Sequence, residues 1–235
     1  MSPRQATTTV GLGIALAAAA IWIWRERSAP SAFEAPAETL AAPDAHPDFV
    51  AEHAVQAIAC PPISSRGSPL LPAQAEAPAG MAAFVHPGGR LQPLASFGVD
   101  ARVLSARHYE EDREAEFAPF DLALGWNRMR DDDVLARLEV AQQNRWYYLR
   151  WRDDPPIPID QVRRESANMH LIPADAGIAR ALAGIRRDQR VRIEGWLVEV
   201  HAHDGWRWRS SLTRDDHGPG GCEVVYVCGV AVGRE

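Results

Sequence analysis

The stretch RVRIEGWLVEVHAHDGWRWRSSLTRDDHGPGGCEVVYV, residues 190–227, decides how the chain folds. From Arg190 to Glu194 charged and apolar residues alternate, the period-two pattern of a half-buried strand, with Val191 and Ile193 on one face. After Gly195 the apolar set becomes Trp196, Val198 and Val200, so the phase flips, and a bulge or sharp bend is expected at Gly195. The turn that follows is fixed by register. A two-residue Asp204-Gly205 turn sets apolar residues against polar ones, whereas a three-residue loop, His203-Asp204-Gly205 with Gly205 left-handed, sets Val200 opposite Trp208, Trp196 opposite Leu212 and Glu199 opposite Arg209. The second register keeps one face apolar and forms a cross-strand ion pair on the other. Residues 215–221 read as a polar, glycine-rich loop, and residues 222–232 as a last strand, apolar enough on both faces to be central.

Working outward, 235 residues leave room for one ordinary domain plus extensions, and 46% hydrophobic with 24% charged residues is a globular composition. A net charge of -6 argues against a general nucleic-acid binder. All 25 basic residues are Arg. Three cysteines make no disulfide scaffold. Cys222 and Cys228 sit roughly 20 Å apart along one strand, too far to bridge, so an oxidised one would need Cys60. Buried free thiols are the expected state.

Toward the amino terminus, a short tail (1–5) precedes residues 6–24, which are uncharged, mostly apolar and long enough to span a bilayer, with Trp22 and Trp24 suited to its interface. A cleaved signal peptide is the rival, but the bulky Ile21-Trp22-Ile23-Trp24 run after the Ala tract favours an uncleaved transmembrane anchor. Residues 25–90 are rich in Ala and Pro and read as a flexible tether, interrupted by a short helix between Pro47 and Ile58. Such a tether after one span places the folded part, residues 91–235, on the periplasmic side of a bacterial inner membrane.

Within the domain, residues 99–109, 145–152 and 164–172 read as strands, the Asp131-Asp132-Asp133 run starts a helix, and Asp175 caps another whose Ile178, Leu182 and Ile185 share a face. The expected fold is α+β and β-rich, with about six strands, two helices and a curled antiparallel sheet, an OB-like partly open barrel.

Four stretches resemble the recurring motifs of a family of uncharacterised bacterial proteins with a single membrane span. They are Asp121-Leu-Ala-Leu-Gly-Trp126, Arg145-Trp-Tyr-Tyr148, Ser166-Ala-Asn-Met-His-Leu-Ile-Pro173 and Trp206-Arg-Trp-Arg-Ser-Ser-Leu-Thr-Arg-Asp215. The resemblance covers residues 99–227 and implies the architecture; it carries no activity.

Several constellations could hold chemistry. Ser166, Asn168 and His170 alternate along one strand face, too far apart to form a triad, so His170 acts as a base only with a partner from another strand, such as Cys222 or Ser211. His201 and His203 are metal-ligand types at a hairpin tip, where a solvated turn is the simpler reading and His217 the only nearby residue to complete a site. Trp206 and Trp208 read as core, Arg207 and Arg209 as ion pairs. Ser210, Arg214, Asp215 and Asp216 gather where a strand leaves the sheet, either as a small anionic-ligand site or as an Arg-Asp brace. No cofactor is implied. The expected function is a non-enzymatic, membrane-anchored module that docks onto another membrane or envelope protein. A hydrolase or transferase using His170 and the 210–222 region requires those residues to meet in one cleft, with the histidine in hydrogen-bond range of a nucleophile. A small-ligand domain requires a pocket lined by Trp126, Tyr148 and Arg214.

Overall fold

The computed structural model describes residue 49 and residues 51–57, 59–213 and 221–233. The expected tail and anchor and the start of the tether lie outside the described residues, as do Arg214, Asp215, Asp216 and His217. Among the described residues no helix is long and apolar enough to cross a membrane.

The first described elements correct the boundary expected at residue 90. β1 (Ala51–Gln56), β2 (Ala73–Glu76) and β3 (Phe84–His86) are strands of the main sheet, β2 and β3 pairing with β4 (Gly89–His108) and β1 with the final strand. Where a helix was expected before Ile58, β1 is an edge strand. An edge strand needs few apolar residues because one side stays in water, and only Val55 of β1 packs against the core. The amide of Ala57 donates to the carbonyl of Cys228, and next to that contact Cys60 and Cys228 form a disulfide with Cα atoms 5.7 Å apart. The expected free thiols are therefore corrected at two of three positions; Cys222 alone is free. Spacing along one strand could not reveal the bridge, because it depends on a bulge at Cys228 and on a segment that reads as tether.

β4 pairs with β5 (Phe120–Gly125), and an insertion follows: a 3-10 turn (Asn127–Arg130), α1 (Asp132–Leu135), the hairpin of β6 (Glu139–Gln143) and β7 (Trp146–Arg150), and α2 (Ile159–Arg164). β8 (Ser166–Pro173) returns beside β5, and α3 (Ala176–Gly184) leads to β9 (Arg190–Ala202), β10 (Arg207–Arg209) and β11 (Glu223–Gly233). β9 pairs with both β4 and β11, so the order β4-β5-β8-β11-β9 runs back to β4 and the sheet curls into a partly closed barrel. The sheet is mixed rather than antiparallel throughout, because β8 and β11 run parallel. The barrel interior holds Phe97, Val99, Leu122, Leu124, Met169, Leu171, Val191, Ile193 and Val225, and is closed by Ile178 and Leu182 of α3 and by Ile185 just after it. The Asp175 carboxylate caps that helix, accepting from the amides of Gly177 and Ile178.

β9 corrects the bend expected at Gly195. Its register with β4 runs unbroken through Ser96↔Trp196, Phe97↔Gly195 and Gly98↔Glu194. Val191, Ile193 and Leu197 face the barrel interior, while Trp196, Val198 and Val200 face a second core with Leu91, Phe117, Ile172 and Val224 on the other side of the sheet. The apparent phase flip is one flat strand passing from a core on one face to a core on the other. The bulges lie in its neighbours, at Leu94 and Cys228. Gly195 serves close approach, since a Cβ there would stand 2.2 Å from the Tyr226 carbonyl oxygen. The hairpin register is as expected: Trp208 opposes Val200, Arg209 opposes Glu199 with a 2.6 Å ion pair, and Gly205 has φ 90°. β10 stops at Arg209, before Leu212 can pair with Trp196.

Candidate functional site

The β6–β7 hairpin lies against the outer face of β5 and β8, and the polar row read on β8 becomes a buried network beneath it. Residues 122 and 124 of β5 fill the barrel, which turns Asp121 outward, where it is fully buried beside His170, its cross-strand partner on β8. The Asp121 carboxylate accepts from His170 Nδ1 at 3.0 Å, from Arg145 Nη1 at 2.7 Å and from the Asn168 amide at 3.2 Å. Asn168 in turn accepts from the Gln142 amide at 2.6 Å and donates to the Arg145 carbonyl. Ser166, at the far end of the row, bonds instead with Tyr147 and the Val162 carbonyl.

Arg145 fixes the other end. It sits in the hairpin turn with φ 66°, next to Asn144 at φ 51°, a pair of left-handed residues that a tight two-residue turn requires. Its guanidinium grips both oxygens of Asp112, reaches Asp121 and the Ala118 carbonyl, and lies 3.9 Å from the centre of the Tyr109 ring. The hydrogen bonds from Arg145 hold the Asp112 carboxyl below its usual range.

Above this network a cleft of about 370 Å³ opens, lined by Asp112, Glu114, Asn144, Arg145, Trp146, His170, Trp208, Arg209 and Cys222. Trp208 packs against the His170 ring, centroids 4.8 Å apart, and continues through Trp206 to Phe117. Both tryptophans are half-buried and pack against the second core, as expected, and Trp208 also lines the cleft. Cys222 lines the same cleft as His170, whose Nδ1 is committed to Asp121. Burial alone would lower the pKa of His170. The charge and hydrogen bond of Asp121, joined by Cys222, outweigh it and push the value up to about 9.

The structure separates the residues picked from sequence. His170 and Cys222 meet in the cleft. Ser210 and Ser211 do not: the Ser210 hydroxyl accepts from the Val224 amide and donates to the Ser211 carbonyl, while the Ser211 hydroxyl closes a turn with Thr213, so both brace the chain. Trp126, expected to line a ligand pocket, is 1% exposed inside the barrel core. His201 lies against Glu199, His203 is exposed, and no group of three or more metal-ligating side chains is found among the described residues. Arg214, Asp215 and Asp216 fall outside them.

Sequence reasoning missed Asp121, Arg145 and Asp112. The one available signal was Asp121, a lone charge in the otherwise apolar run Phe120-Asp121-Leu122-Ala123-Leu124. Comparison of the chain with models of known protein families, with curated proteins and with solved structures finds no match.

Proposed function

We propose that this is an OB-type binding domain, carried on a membrane anchor outside the cytoplasm, whose cleft receives a short segment of another membrane or envelope protein. The cleft carries the reading. It is of ligand size, walled by Trp146 and Trp208, and floored by polar groups whose positions are fixed before anything binds. The ring order β4-β5-β8-β11-β9, with its parallel β8–β11 pair and with α3 between β8 and β9, supports the OB assignment. In such barrels the face of the second and third strands and the loops after the first and fourth strands form the binding surface. Here those elements supply His170 from β8, Asp112 and Glu114 after β4, and Trp208, Arg209 and Cys222 after β9.

The Cys60–Cys228 disulfide supports an oxidising compartment, and with it a periplasmic domain. Each of the four motif stretches that resemble single-span membrane proteins also contributes one part of the site: Asp121, Arg145, the Asn168–His170 row and Trp208.

The test is purification of the full-length protein in mild detergent from its own membranes, beside a Trp208→Ala variant. A stoichiometric co-purifying protein, identified by mass spectrometry and lost from the variant, is the expected result. If wild type emerges alone, or its partner ignores the variant, the docking reading fails.

A further inference from the structure

His170 and the free Cys222 line one cleft, as an enzyme reading requires. We infer that Cys222 is the nucleophile of an acyl transfer, with His170 its proton carrier, Asp121 the residue that positions His170, and an ester or thioester the acyl donor. The inference rests on the reading of the cleft as a ligand site and assigns a chemistry to it.

Three observations carry it. Cys222 is the free cysteine, partly exposed in the cleft, while the other two are bonded to each other. His170 is 3% exposed, lines the cleft and is held by Asp121 at Nδ1, which leaves the opposite ring nitrogen to serve a group in the cleft. Asp121 is itself fixed by Arg145 and Asn168, so the imidazole cannot turn away. A nucleophile, a base and a third group that orients the base are the parts that covalent acyl transfer needs. Other charged groups on the cleft wall are Asp112 and Arg145, paired with each other, together with Glu114 and Arg209.

The Cys222 sulfur attacks the acyl carbon as its proton passes to solvent. The carbon–sulfur bond forms and the bond to the leaving oxygen or sulfur breaks, its electron pair going to the leaving group with the proton from His170. Water then gives a proton to His170 and its oxygen to the acyl carbon. The carboxylic acid departs, Cys222 leaves as thiolate, and His170 again carries a proton.

The experiment is alkylation of full-length protein by iodoacetamide across pH, with the site read by mass spectrometry. Native Cys222 should react at pH 6.5 about tenfold faster than in the same chain unfolded with its disulfide intact. Such a gain is what a cysteine held beside a histidine in a cleft gives. His170→Gln should return the rate to the unfolded value, and Asp121→Asn should displace the pH profile. With p-nitrophenyl acetate, one acetyl group should appear on Cys222 and then be released. A native rate equal to the unfolded rate, or an acetyl group elsewhere or never released, overturns the inference using wild type alone. If wild type captures the partner while the rate enhancement is absent, acyl transfer falls and the docking reading stands.

Discussion

Two aspartates, Asp121 and Asp100, are both fully buried on strands of the barrel, and both meet arginines, yet they are built for different ends. Asp100 on β4 is shared by Arg192 at 2.8 Å, Arg130 at 3.5 Å and Arg190 at 3.7 Å, and the Phe49 ring lies over Arg190 and Arg192. Each of those partners keeps its charge at any ordinary pH, so the cluster has one state. Asp121 has one permanent cation, Arg145, one neutral amide, Asn168, and one titratable partner, His170, which opens onto a thiol and a cleft. A buried carboxylate by itself therefore marks no site. It becomes one when a neighbour can change protonation and when that neighbour reaches a cavity.

The contrast can be broken most forcefully at Asp100. Asp100→Leu strands three guanidiniums without the charge they share and should cost about 3–5 kcal/mol in denaturant unfolding. Whatever fraction folds should alkylate at Cys222 as wild type does; a changed rate would mean the two clusters are coupled. Next in size is a pH effect confined to the Asp121 side. The folded pKa of His170 lies above its ordinary 6.5, at about 9. Its contribution is thus complete below pH 6.5 and is lost as pH rises through about 9, in all on the order of 3 kcal/mol. Stability followed from pH 6 to 10 should fall in wild type and flatten in His170→Gln, and Asp100→Leu should keep the wild-type slope.

Smallest is the analogue whose arginines face solvent. Glu199 receives Arg209, Arg207 and His201, but both arginines are more than half exposed, so Glu199→Gln should cost under about 1 kcal/mol. A larger loss would show that burial is not what separates the three carboxylates.

The parts legible in the sequence are those fixed over a few residues. The hairpin register followed from matching faces across a three-residue loop, and the Asp175 cap from a carboxylate ahead of a periodic apolar run. β9 misled because alternation reports which residues are buried and not against which core, so two cores on opposite faces imitate a bulge. β1 to β3 were unreadable for a different reason. The partner of β1 lies far along the chain, on β11, and an Ala-rich edge strand carries little period of its own, while β2 and β3, of four and three residues, are too short to show one. The site was half legible. His170 and its need for a partner from another strand could be read, and Cys222 was the partner named. Asp121, 49 residues away, becomes its neighbour only through the β5–β8 register, and Arg145 only through the turn that folds the hairpin back.

The bond between Cys60 and Cys228 also sets how the molecule carries load. It closes a loop across a sequence separation of 168 that contains almost every strand of the barrel. A pull between the chain ahead of Cys60 and the chain after Cys228 first peels β1 from β11 and then passes through the sulfur atoms. The force bypasses the residues between, so the cleft keeps its shape while the flanking chain is under tension.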